Sequence, residues 1–79
     1  MPRVYLNETD RICHRMFVWA QGEKKRCKVT NEHLGAIQGI TGRAWRHKFE
    51  KERMSFGDFV ILVREFRPDD DTLRYILGL

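Results

Sequence analysis

A chain of 79 residues is the length of one domain, and with 42% hydrophobic residues it is too apolar to stay disordered. Fifteen lysines and arginines against 11 acids give a net charge of +4, which admits a nucleic-acid partner without requiring one. No apolar run approaches the roughly 18 residues of a membrane span, and the opening MPRVYLNETD lacks the apolar core of a signal peptide, so the expected location is cytoplasmic.

Residues 1–6 read as an N-terminal arm, in which Arg3 is free to reach outward while Val4, Tyr5 and Leu6 favour packing on the bundle. A first helix is expected to begin near Asn7 or Thr9, with Ile12, Cys13, Met16, Trp19 or Ala20, and Cys27 at helical spacing. Gly22 weakens it and offers an early end. The run Glu23-Lys24-Lys25-Arg26-Cys27-Lys28 holds four cations against one acid, which suits a helix C-terminus. Along a continuous helix the two cysteines stand about 20 Å apart at 1.5 Å rise per residue, beyond disulfide reach. They read as small buried apolar residues.

A second helix takes Thr30 as its N-cap, carries Leu34, Ala36 and Ile37, and ends at Gly39 in a left-handed cap. Ile40 plugs the corner, and Thr41 caps a third helix running from Gly42 to about Glu50. Trp45 and Phe49, four apart, mark its buried face. Ser55-Phe56-Gly57-Asp58 reads as a capping box with Asp in place of Glu. It opens a fourth helix that is apolar nearly all round through Phe59, Val60, Leu62, Val63 and Phe66, and is therefore expected in the centre of the core. Arg67-Pro68 stops it. Asp69, Asp70 and Asp71 cap a fifth helix with Leu73, Ile76 and Leu77 on one face, and Gly78 ends it. The expected fold is all-α, a compact bundle of about five short helices in a single domain over residues 1–79.

The short helix, glycine and short helix over residues 30–50 have the layout of a helix-turn-helix. The stretch Thr30-Asn31-Glu32-His33-Leu34-Gly35-Ala36-Ile37-Gln38-Gly39-Ile40-Thr41-Gly42-Arg43-Ala44-Trp45-Arg46-His47-Lys48-Phe49 resembles, without a gap, the motif of the Cro/lambda-repressor-type (XRE) family, roughly T-Q-E-E-L-A-x-x-L-G-I-S-x-x-T-L-S-R-K-L. Thr30, Glu32, Leu34, Gly39, Ile40 and Thr41 match it. Lys51-Glu52-Arg53-Met54-Ser55-Phe56-Gly57-Asp58 looks like the family's polar turn and the opening of its fourth helix, so the likeness covers residues 8 to about 77. Two positions depart from it. Gly35 stands where the family prefers Ala, both being small enough for a close helix approach. Gln38 stands where a buried apolar residue is usual, and a buried amide needs partners.

The resemblance implies a lambda-repressor-like DNA-binding domain of phage or mobile-element type, acting at the nucleoid as a homodimer on a palindromic operator. On the third helix Arg43, Arg46, His47 and Glu50 fall opposite Trp45 and Phe49. Arginine forks match guanine O6 and N7 in the major groove, so Gly42, Arg43, Arg46 and His47 are the candidate base contacts. Asn31, Thr41, Lys48, Lys51 and Arg53 are the candidate backbone contacts, Asn31 at a helix N-terminus and, by the resemblance, in the same role. Lys48 and Lys51 read equally well as plain surface lysines. Glu50 has Arg46 or Arg53 as a partner, or the amino group of a cytosine.

Residues 41–53 hold five cations against two acids and residues 68–79 hold one cation against three acids, so charge is polarised toward the motif. The C-terminal helices over residues 55–79, with Leu73, Tyr75, Ile76, Leu77 and Leu79, carry more apolar side chains than one face buries and form the candidate dimer surface. A metal site from Cys13, His14, Cys27, His33 and His47 lacks zinc-ligand spacing. No nucleophile motif or phosphate-binding glycine loop is present, so neither an enzyme, a cofactor, a small-molecule substrate nor a membrane partner is expected. Two functions follow. One is a sequence-specific regulator, most simply a repressor. The other is an inhibitor or adaptor of phage–host conflict that uses the same scaffold to bind protein. A weaker third is an architectural protein without sequence preference.

Overall fold

Every helix starts where a side-chain oxygen can accept an otherwise unpaired backbone N–H. In the computed structural model, which describes residues 7–79, Asn7 caps α1 (Glu8–Cys27) and Thr30 caps α2 (Asn31–Gln38). Thr41 caps α3 (Gly42–Lys51), Ser55 caps α4 (Phe56–Phe66) and Asp69 caps α5 (Asp70–Leu77). The capping box at α4 is complete: Ser55 Oγ accepts from Asp58 N and an Asp58 carboxylate oxygen accepts from Ser55 N. The expected arm, residues 1–6, lies outside the described residues.

Each helix also ends on a residue in the left-handed region. Gly39 and Gly78 do so without a side-chain penalty, whereas Lys28, Glu52 and Arg67 adopt φ of 57°, 53° and 48°. Gly22 does not end α1, which runs unbroken to Cys27. A single glycine costs a helix only about 1 kcal/mol, and the packing of Met16, Phe17 and Ala20 in the core outweighs it.

The core is built from one to three side chains per helix. Met16, Phe17 and Ala20 of α1 meet Leu34 of α2, Trp45 of α3, Leu62 and Phe66 of α4, and Ile76 of α5. Phe17 stacks edge-on to Phe49 at 5.0 Å, and Trp19 to Phe66 at 6.0 Å. Cys27 is a correction: it lies on the exposed side of α1, so the inward stripe is carried by Met16, Phe17 and Ala20 instead, and Cys13 is half-buried. In α4 only Leu62, Phe66 and Asp58 are fully buried; Phe59, Val60, Ile61 and Val63 are half-buried and Phe56 stands 83% exposed.

The tightest junction joins α2 to α3. A Cβ on Gly35 would lie 2.4 Å from the Ile40 carbonyl oxygen and 2.9 Å from the Thr41 carbonyl carbon. Backbone fills that space, so alanine does not fit here as it does in the resembled motif, and glycine alone allows the approach. Two further links tie the pair to its surroundings. His33 Nε2 meets Glu65 Oε1 of α4 at 2.5 Å, and His14 Nδ1 of α1 meets Glu52 Oε2, just past α3, at 2.5 Å. Arg15 Nε donates to the Ile76 carbonyl at 2.9 Å, which binds α1 to the end of α5. No helix among the described residues is long and apolar enough to cross a membrane.

Candidate nucleic-acid interface

Trp45 sets the orientation of α3. Its side chain is 0% exposed, and it lies on the same face as Phe49, 6.2 Å between ring centroids. With an aromatic anchor inside, helical geometry sends Arg43, Arg46 and His47 outward, and all three are exposed. They border an open cleft of about 460 Å³ between the first turn of α2 and the length of α3. From α2 come Asn31 and Glu32; from α3 come Gly42, Arg43, Arg46, His47 and Glu50. All four residues expected to touch bases are thus brought together, with Asn31 beside them.

The acids in the cleft have distinct placements. Glu50 takes the partner expected of it, one helical turn away: Arg46 Nε donates to Glu50 Oε1 at 3.1 Å. Glu32 was not expected in the site. It folds across the start of α3, where a Cβ on Gly42 would lie 2.8 Å from its carboxylate carbon. The absence of a side chain at Gly42 makes room for that carboxylate, and the positive end of the α3 dipole favours it there. The sequence signal for Glu32 was its place in the first turn of α2, which says nothing of α3 until the turn is folded.

Asn31 is half-buried and already engaged. Its Oδ1 accepts from Lys24 Nζ at 2.6 Å. Lys24 is the second residue that sequence reasoning passed over. From the last turn of α1 it reaches Asn31 and also lies 4.1 Å above the Phe49 ring. Burial lowers its pKa below the usual lysine value, against the opposing pull of Glu32. A residue read as a helix-end cation therefore joins α1, α2 and α3.

Of the expected backbone contacts, Thr41, Lys51 and Arg53 are exposed around the ends of α3, and Thr41 Oγ1 accepts from Ala44 N at 3.1 Å. Lys48 requires a correction. Its ammonium turns inward to Asp58 Oδ2 at 2.9 Å, and Asp58 is 1% exposed. The other oxygen of Asp58 accepts from Gln38 Nε2 at 2.8 Å. Burial of Asp58 raises its pKa, but Lys48, the Ser55 N–H and Gln38 together outweigh that and hold it below the ordinary 3.8. This cluster gives Gln38 the partner a half-buried amide needs: its N–H is donated to a buried carboxylate. Gln38 Oε1 stays buried without a hydrogen-bond partner among the described residues.

The arrangement offers guanidinium, imidazole, carboxylate and amide groups on one rigid, open surface, and a hydrogen-bonded fixture behind it. Among the described residues no three metal-ligating side chains converge. No protein-family model, no characterised protein and no solved structure matches the chain.

Proposed function

We propose that residues 30–50 act as a helix-turn-helix and that the protein is a sequence-specific double-stranded DNA-binding regulator, a repressor, that lays α3 in the major groove. The observation that carries this reading is the outward display of Arg43, Arg46 and His47 from a helix whose Trp45 is fully buried. A rigid helix with guanidinium forks on its free face suits the edges of guanines. Lys51 and Arg53, exposed near its C-terminal end, supply phosphate contacts. One copy offers few base contacts, so two copies reading half-sites about 34 Å apart give the specificity a regulator needs. Tyr75 and Leu79, 66% and 87% exposed, are the apolar surface for that pairing.

Selection of bound duplexes from a randomised library tests the reading, with the Arg43→Ala/Arg46→Ala variant in parallel. The expected result is an enriched inverted repeat that the variant no longer prefers. No enriched sequence, with both proteins binding alike, sinks it.

One observation favours the second reading, a module that binds protein. Glu32 and Glu50 stand among the cations of the cleft, and such a mixture also suits a protein surface. Salt dependence separates the two: a DNA reader loses affinity with a log–log slope of about −0.9 per phosphate contact, whereas an adaptor binds duplex feebly at all salt concentrations.

A further inference from the structure

A surface made only to follow phosphates needs donors and no acceptors. The cleft has both: Arg43 and Arg46 are matched by Glu32 and Glu50. Two successive G·C and C·G pairs show that same mixture along one strand of the major groove, the N7 and O6 acceptors of a guanine next to the N4 amino donor of the neighbouring cytosine. The match is closest at Arg46 and Glu50. Arg46 Nε donates to Glu50 Oε1 at 3.1 Å, which leaves the two terminal nitrogens of the guanidinium available as a fork of donors. Glu50 Oε2 makes no hydrogen bond among the described residues. Both side chains are more than half exposed, at 74% and 54%, so neither is committed to the core.

We infer that Glu50 is a specificity residue that reads the cytosine amino group next to a guanine held by Arg46, so that the recognised site carries G and C at adjacent, separately read positions. The inference rests on the DNA-binding reading. Glu50 adds negative charge close to the phosphates, and so contributes discrimination at the expense of sequence-blind affinity. A carboxylate accepts from cytosine N4 but repels the N7 and O6 acceptors of guanine and the O4 of thymine, which makes its preference one-sided.

The test is the duplex selection repeated with Glu50→Ala and Glu50→Gln. Wild type is expected to enrich a site with a cytosine position next to a guanine position. Glu50→Ala is expected to lose the cytosine preference about tenfold, keep the guanine preference, and bind random duplex at least as well as wild type. Glu50→Gln, which can both donate and accept, is expected to move that position from cytosine toward adenine. An unchanged site in both variants overturns the cytosine assignment while leaving DNA recognition intact. Loss confined to the guanine position also overturns it, because Glu50 would then act only by holding Arg46. A wild-type selection without any enriched site overturns the DNA reading itself and the inference with it. Helical circular dichroism of the variants confirms that they fold, as expected for an exposed position.

Discussion

Two cation–carboxylate pairs leave α3 in opposite directions, and they live under different physics. Lys48 points behind the helix to Asp58, which is 1% exposed and also bonded by Gln38 and Ser55. Arg46 points in front of it to Glu50, with both partners mostly in water. The inner pair fastens α3 to α2 and α4 and has no freedom to do anything else. The outer pair holds little and is free to exchange its partner for a ligand. Two residues of sequence separate the cations, and Trp45 decides which is which by turning one side of the helix inward. A basic helix is thus not a uniform array of contacts: net charge over residues 41–53 overstates what faces outward, because Lys48 is neutralised on the inside.

The sharpest way to break the contrast is Asp58→Ala. It strands Gln38 Nε2 and Lys48, removes half of the α4 capping box, and is expected to cost about 3 kcal/mol in urea unfolding. A loss below about 1 kcal/mol would mean that the inner cluster is no more structural than a surface pair. The same group predicts an acid limb. Because its folded pKa is held below 3.8, Asp58 contributes stability that is fully present above the unfolded value of about 4 and fades as pH falls through the folded value. Asp58→Asn is expected to flatten that part of the stability profile below about pH 4; an unchanged acid slope would assign the limb to other carboxylates.

Lys48→Ala comes next, at about 1–2 kcal/mol, smaller because Asp58 keeps two other donors and Lys48 was already 27% exposed. The effect should survive added salt, as screening acts weakly on buried pairs. The smallest effect belongs to the outer pair. A double-mutant cycle on Arg46 and Glu50 is expected to give a coupling of about 0.3–0.5 kcal/mol that vanishes in high salt. A coupling above 1 kcal/mol would show that the outer pair also helps to hold the fold.

What the sequence made legible follows the range of the interactions involved. Every N-cap and every glycine stop acts within about four residues, and Asn7, Thr30, Thr41, Ser55, Asp69, Gly39 and Gly78 stand in those roles. The inward Trp45 and the outward Arg43, Arg46 and His47 followed from helical period alone. Longer-range contacts did not show. Lys48 and Asp58 are ten residues apart, Gln38 and Asp58 twenty, and nothing in either local pattern announces that they meet. Lys24 and Glu32 looked like ordinary helix-end charges until the turns brought Glu32 into the cleft and Lys24 to Asn31. Gly35 read as a tolerant small residue, and only the folded backbone shows that a single methyl group is too much.

Glu52 carries a consequence of another kind. It ends α3 in a left-handed conformation, where glycine would sit more easily, and from there its carboxylate meets His14 of α1 at 2.5 Å. The residue that caps the third helix is therefore a phase marker. Lengthening α3 by one residue ahead of it would swing the carboxylate through about 100° around the helix axis and out of reach of the imidazole. The outer face would lose its link to α1 through His14, leaving Trp45, Phe49 and the Lys48–Asp58 pair to set its orientation. Helix length in this protein is thus a coded quantity, and insertions within the third helix should be far less tolerable than insertions in the turn that follows.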